Sequence, residues 1–170
     1  LGAVLVVRVE SARIAAEWNN NMQAFVEGLG QGIPVNISSD PRNETRAWAE
    51  YNAGSGGKIS LWPSPLGLAA TFDPELVEKF GRIASAEYRA LGIATALSPQ
   101  IDLATEPRWN RFYGTFGEDP DLDTDMARAY IDGFQTSVGA AEIADGWGYE
   151  SVNAMVKHWP GGGPEEGGRD

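Results

Sequence analysis

The chain has 170 residues, 42% of them hydrophobic, with 24 acidic and 13 basic side chains and a formal net charge of -11. That length and mixture suit one globular domain with a real core, and the acid excess argues against nucleic acid or an anionic membrane as a partner, because phosphates are repelled. The lack of cysteine excludes disulfides, thiolate metal sites and a cysteine nucleophile, and no apolar run approaches the roughly 18 residues that a membrane span requires.

Strand and helix signals alternate along the chain. The β-branched run AVLVVRV (3–9) predicts a first strand rather than a signal peptide, since no basic segment precedes it. Ser11 can cap a helix in which Ile14, Trp18, Met22, Phe25 and Leu29 recur at helical spacing. IPVNIS (33–38) predicts a second strand, followed by a glycine-rich loop over about 40–70. Asp73-Pro74 opens a helix predicted to bury Leu76, Phe80, Ile83, Tyr88 and Leu91, with Gly92 as its stop. IATALSPQIDL (93–103) is a third strand, and a loop runs to about 118. Asp119-Pro120 starts a third main helix with Leu122, Met126, Tyr130 and Phe134 on one face. GWGY (146–149) is a turn-rich approach to the fourth strand, VNAMVKH (152–158). The order β-α-β-α-β-α-β predicts an α/β fold with a parallel sheet and right-handed crossovers.

Buried parallel strands usually read as unbroken apolar runs. Two of these do not. Asn36, Ser38 and Asp40 share one face of the second strand, and Asn153, Met155 and Lys157 share one face of the fourth. Each polar face ends in a charge at the carboxyl end, where α/β folds bind ligands. Asp40, the 102–118 loop and Lys157-His158 are therefore expected on one rim. Asp40 can accept from two neighbouring hydroxyls, Arg108, Arg111 and Lys157 can donate, and His158, the only histidine, can do either. Mixed donors and acceptors suit a polyol or sugar better than a phosphate. Trp62, Trp109, Phe112, Tyr113 and Trp159 lie in the same loops and offer ring faces for a pyranose. Plainer readings stand beside these. Asp40 before Pro41 can start a turn, Arg108 suits a structural salt bridge, a lone histidine is more often structural than catalytic, and loop aromatics more often pack than bind. With one histidine and no cysteine, neither a metal nor a cofactor is expected.

IPVNISSD, LWPSPLGLAATFDPELV, EYRALGIATALSPQIDL, EPRWNRFYGTFGEDPDL and VKHWPGG occur in the order and spacing of glycoside hydrolase family 3. The sequence resembles the N-terminal (β/α)8-barrel domain of a bacterial β-glucosidase over nearly its whole length. The resemblance implies that Asp40, Arg111, Lys157 and His158 bind hydroxyls of the terminal sugar, while Asp102 and Glu118 are structural. It also implies a β-glucoside or oligosaccharide substrate. It points to secretion or a periplasm, although the compartment is not fixed by these residues. Many members have glycine where Asn110 stands, and a side chain there would narrow the rim. Members that cleave N-acetylglucosamine carry further histidines soon after the lysine-histidine pair. Gly161, Gly162 and Gly163 stand here instead, which favours a glucosidase or xylosidase over an N-acetylhexosaminidase.

The family hydrolyses glycosides with retention, using two carboxylates about 5–5.5 Å apart. Neither matching motif lies in these residues, so no catalytic residue is expected in the chain. Four strands and three main helices make about half of a TIM (β/α)8 barrel. The sequence is thus read as residues 1–170 of a partial barrel domain, cut at both ends. Such a piece would be inactive alone and would self-associate through exposed sheet edges. A non-catalytic sugar-binding α/β module is the alternative.

Overall fold

Side-chain caps start the helices. Ser11 Oγ accepts from the Ile14 N–H at 3.3 Å to begin α1 (Ala12–Glu27). Ser64 does the same for the short α2 (Pro65–Ala69), which lies inside the region expected to be loop. Asp73 caps α3 (Pro74–Ala90), and Asp119 caps α4 (Pro120–Gln135) by accepting from the Asp121 and Leu122 N–H groups at 3.0 and 2.8 Å. Proline at the first helical position of α3 and α4 removes an N–H that would have had no partner. The computed structural model describes residues 2–45, 59–137 and 146–170, so part of the 40–70 loop lies outside the described residues.

The strands are β1 (Ala3–Leu5), β2 (Asn36–Ser39), β3 (Thr95–Ala96), β4 (Thr136–Ser137), β5 (Gly146–Trp147) and β6 (Asn153–Ala154). β1, β2, β3 and β6 lie side by side in that order, and all three pairings are parallel. The predicted α/β architecture is therefore present, with the helices following their strands as in a β-α repeat. An antiparallel pair, β4 with β5, was not expected; GWGY supplies its second strand.

The strands are shorter than the apolar runs that announce them, for local reasons. The backbone of Val35 is taken up by the Gln23 amide, which accepts from its N–H at 3.0 Å and donates to its carbonyl at 2.7 Å. β2 therefore begins only at Asn36. The third and fourth strands are interrupted together, because Pro99 has no N–H for the ladder. Pairing resumes past it: Gln100 bridges Lys157 in parallel, with the Lys157 N–H on the Pro99 carbonyl at 3.0 Å and the Ile101 N–H on the Lys157 carbonyl at 2.7 Å.

One face of the sheet, carrying Ile37, Ala96 and Val152, is fully buried in the core. The aromatic rings of Phe80, Tyr88, Tyr130 and Phe134 fill that core, with Tyr130 stacked on Phe134 at 4.7 Å. α3 and α4 approach at paired glycines. A Cβ on Gly81 would sit 2.9 Å from the Gly133 Cα, and one on Gly133 would fall on the Glu78 carbonyl. Of the residues expected to be buried by α3, Phe80, Tyr88 and Leu91 are, whereas Leu76 and Ile83 are only half-buried and Val77 and Ala84 are covered as well.

The expected apolar face of α1 is corrected more strongly. Ile14, Trp18, Phe25 and Leu29 are 45–64% exposed. Ala15, Asn19 and Val26 are buried instead, since Asn19 Nδ2 reaches the Leu91 carbonyl at 2.6 Å and turns that stripe inward. The outer stripe of α1 faces outward, with Ile14 and Trp18 forming a shallow groove with Leu5 and Val7.

Candidate functional site

β2 and the strand segment after β6 end side by side, because both are held to the strand between them. β2 releases the chain at Asp40, whose carbonyl accepts from Tyr88 Oη at 2.9 Å. The Gln100–Lys157 bridge holds Lys157 in line beyond β6. Lys157 Nζ and Asp40 Oδ1 are in direct contact, and their side chains are only 15% and 16% exposed. Beneath them, the fully buried Arg42 donates to Ser39 Oγ at 2.7 Å and to the Val6 carbonyl, fixing the end of β2 from behind.

A cis peptide joins Lys157 to His158, and the two side chains take different partners. His158 Nδ1 lies 2.8 Å from Asp102 Oδ2. Asp102 Oδ1 accepts the backbone N–H groups of His158, at 3.3 Å, and of Gly162. A Cβ on Gly162 would come within 2.9 Å of that oxygen, so the glycine turn is what lets the backbone close on it. Burial alone would raise the Asp102 carboxyl, but the His158 ring and the Gly162 and His158 N–H groups outweigh it and hold it below the usual carboxylate range.

Arg111 completes the chain of contacts. Its Nη2 is 3.3 Å from His158 Nε2, and its Nη1 is 3.5 Å from Asp170. A guanidinium has no acceptor, so Nε2 must accept. The hydrogen of this ring then sits on Nδ1, donated to Asp102, a tautomer assigned from the network. Asp170 also accepts from Trp109 Nε1 at 2.9 Å.

Asp40, Arg111 and Lys157, three of the four residues named from the sequence, line one cavity together with Gln100, Tyr113 and Gly114. His158 stands beside it, behind Arg111. The cavity opens at the carboxyl ends of the parallel strands, as expected of the fold. The loop aromatics divide between the packing and the lining readings. Trp109 is 1% exposed and packed, Trp62 stacks edge-on against Phe80 at 5.4 Å, and Trp159 is exposed away from the cavity lining. Of the five aromatic residues only Tyr113 reaches the lining. Arg108 pairs with Glu106 at 2.7 Å on the surface, and Glu118 is exposed.

Gln100, Asp170 and Asp123 were not singled out from the sequence. Asp123 is buried at the start of α4, and burial pushes its carboxyl up to about 7, with a Phe116 N–H acting against this and the charge of Asp102 adding to it. Apolar neighbours in SPQIDL could have flagged Gln100, since a long amide inside a buried strand needs a partner or a purpose. Nothing in the sequence marks Asp170, which is 59 residues from Arg111.

Parallel β-α units with a polar, charged cavity at the strand ends define a barrel-type α/β domain, a class of fold whose ligands bind at that end of the strands. The Glycosyl hydrolase family 3 N terminal domain matches residues 1–170, and the chain belongs to that family. It is 49% identical over 155 residues to a periplasmic beta-glucosidase/beta-xylosidase of Dickeya chrysanthemi, covering 91% of this chain and 23% of that protein. It is 44% identical over 165 residues to beta-glucosidase C of Emericella nidulans, covering 95% and 25%. Among solved structures, a β-glucosidase of Erythrobacter marinus matches with a TM-score of 0.82 at 29% identity, over 100% of this chain and 21% of that one. The chain thus spans about a quarter of the length of these curated relatives.

Proposed function

We propose that this chain is the sugar-gripping part of an exo-acting, retaining β-glycosidase that hydrolyses terminal β-linked glucose. Its residues 1–170 form part of one N-terminal barrel domain, and the nucleophile and acid/base come from elsewhere in the protein. The observation that carries the reading is the juxtaposition of Asp40, Lys157 and Arg111 around one cavity at the strand ends. Asp40 accepts from two adjacent hydroxyls of the non-reducing sugar, Lys157 and Arg111 donate to others, and His158 holds Arg111 in place from beside the cavity. Asp102 fixes the ring of His158, as the second carboxylate of such a network does. Hydrogen bonds that tighten as the ring flattens lower the barrier more than they strengthen ground-state binding.

Lys157→Ala in the full-length protein tests this. The substitution leaves Asp40 without its partner in a nearly closed site, and loss of one member of such a pair costs about 2–5 kcal/mol. The expected result is a fall in kcat/KM on an aryl β-glucoside of about a hundredfold or more in a protein that still folds, with a lower melting temperature because Asp40 loses its partner. An unaltered kcat/KM removes Lys157 from the site.

The relative from Dickeya is described as acting as both β-glucosidase and β-xylosidase, which favours xylosides as a second substrate. Comparing aryl β-glucoside with aryl β-xyloside on the full-length protein decides between dual and single specificity.

A further inference from the structure

Gln100 is a polar residue of the cavity that no role above absorbs. It is 8% exposed, yet it lines the same cavity as Asp40, Arg111 and Lys157. Its Nε2 is buried and has no hydrogen-bond partner among the described residues. A buried amide donor left unpaired costs about 1–3 kcal/mol, so a glutamine here is a poor choice for packing alone. A methionine or leucine would fill the same space at no such cost.

The backbone places the side chain beside the sugar grips. Gln100 and Lys157 are direct partners in the parallel bridge, so their side chains leave the sheet on the same face. That of Lys157 runs into the cavity to meet Asp40. Gly114, another lining residue, leaves room for the amide: a Cβ there would press to 3.1 Å on Gln100 Oε1. The three assigned grips are all charged, and Asp40 and Lys157 satisfy each other. Gln100 is the uncharged amide beside them.

We propose that Gln100 is a specificity-determining residue of the terminal-sugar subsite, its amide N–H donating to one pyranose hydroxyl between Lys157 and Arg111. This rests on the reading of the cavity as a β-glycoside site. The role differs from that of the charged grips. A neutral donor discriminates by the presence or absence of its hydroxyl, because the sugar lacking it leaves the amide buried and unpaired.

The test uses the full-length protein, an aryl β-glucoside and its monodeoxy analogues. Gln100→Met keeps the volume and removes the donor. The expected result is a roughly 10- to 100-fold lower kcat/KM on the glucoside. One monodeoxy glucoside should lose rate with wild type but be hydrolysed equally by wild type and variant, since both lack the same contact. Should Gln100→Met lower the melting temperature, Gln100→Glu, which keeps the shape and replaces the donor by an acceptor, repeats the cycle. Unchanged kcat/KM overturns the proposal. So does a set of deoxy penalties that is identical in wild type and variant, which would mean that the amide is paired by another part of the protein. A wild-type protein inactive on every aryl β-glycoside overturns the functional reading itself, and this inference with it.

Discussion

At the scale of single residues, two buried carboxyls, Asp102 and Asp123, respond to pH in opposite directions. Asp102 is held below its ordinary range, so the stability it contributes is present at neutral pH and is lost only as pH falls through that lowered value. Asp123 is pushed up to about 7, against roughly 3.9 for an unfolded aspartate. Between those values the folded state holds a proton that the unfolded state has released. Its contribution is therefore full below about pH 4, declines as pH rises, and is gone above about 7. Asp123→Asn, which keeps the shape and cannot ionise, should remove that decline. Thermal melts of the full-length protein at pH 5 and 8 are expected to differ less in the variant than in wild type. Equal pH dependence in both would show that Asp123 titrates normally.

Legibility also divided residue by residue. Asp40, Arg111 and Lys157 were recoverable because charges at strand ends, and the lysine-histidine and PRWNR segments, stand out in a line of text. Gln100 and Asp170 were not. Their significance comes from what lies across the cavity or at the far end of a loop, and spacing carries no such information.

Among the elements, the helix starts were the most readable feature. A cap is a contact between residues two or three apart, so Ser11, Asp73 and Asp119 announce themselves. Removing one of them, as in Asp119→Ala, is expected to cost about 1 kcal/mol, measurable by denaturant titration. The contact between α3 and α4 is of another kind. Gly81 and Gly133 let two backbones touch, and neither glycine is marked as special by its own neighbours. Gly133→Ala should be more damaging than the loss of a cap, because a Cβ would meet backbone and the helices must separate. Overpacking of this sort costs about 1–3 kcal/mol, and a Tm equal to wild type would mean that the helices slide apart freely. Strand lengths were overestimated for a related reason: β-branched runs signal where a strand fits, while Pro99 and the Gln23 amide decide where the ladder holds.

At the scale of the whole molecule, the described residues form an open four-stranded parallel sheet with β1 and β6 at its edges. Among the described residues β1 has one hydrogen-bonded neighbour, and its Leu5 and the adjacent Val7, Ile14 and Trp18 are 43–51% exposed. An unpaired parallel edge next to an apolar helix flank invites association. Produced alone, the 170-residue chain is expected to elute as oligomers in size-exclusion chromatography and to leave an aryl β-glucoside uncleaved. A cooperatively folding monomer would contradict the first expectation, and measurable hydrolysis the second.

Local chemistry, then, determined the order of elements, the helix starts and the short list of charged residues at the strand ends, because caps, turn residues and alternation act over a few positions. Tertiary structure alone decided which side of α1 is buried, where each strand stops and which aromatic residues pack rather than line the cavity. It also decided that His158 is braced by Asp102 and leans on Arg111. The bracing of His158 depends on groups 47 to 56 residues apart in the chain, and only the folded backbone specifies such neighbours.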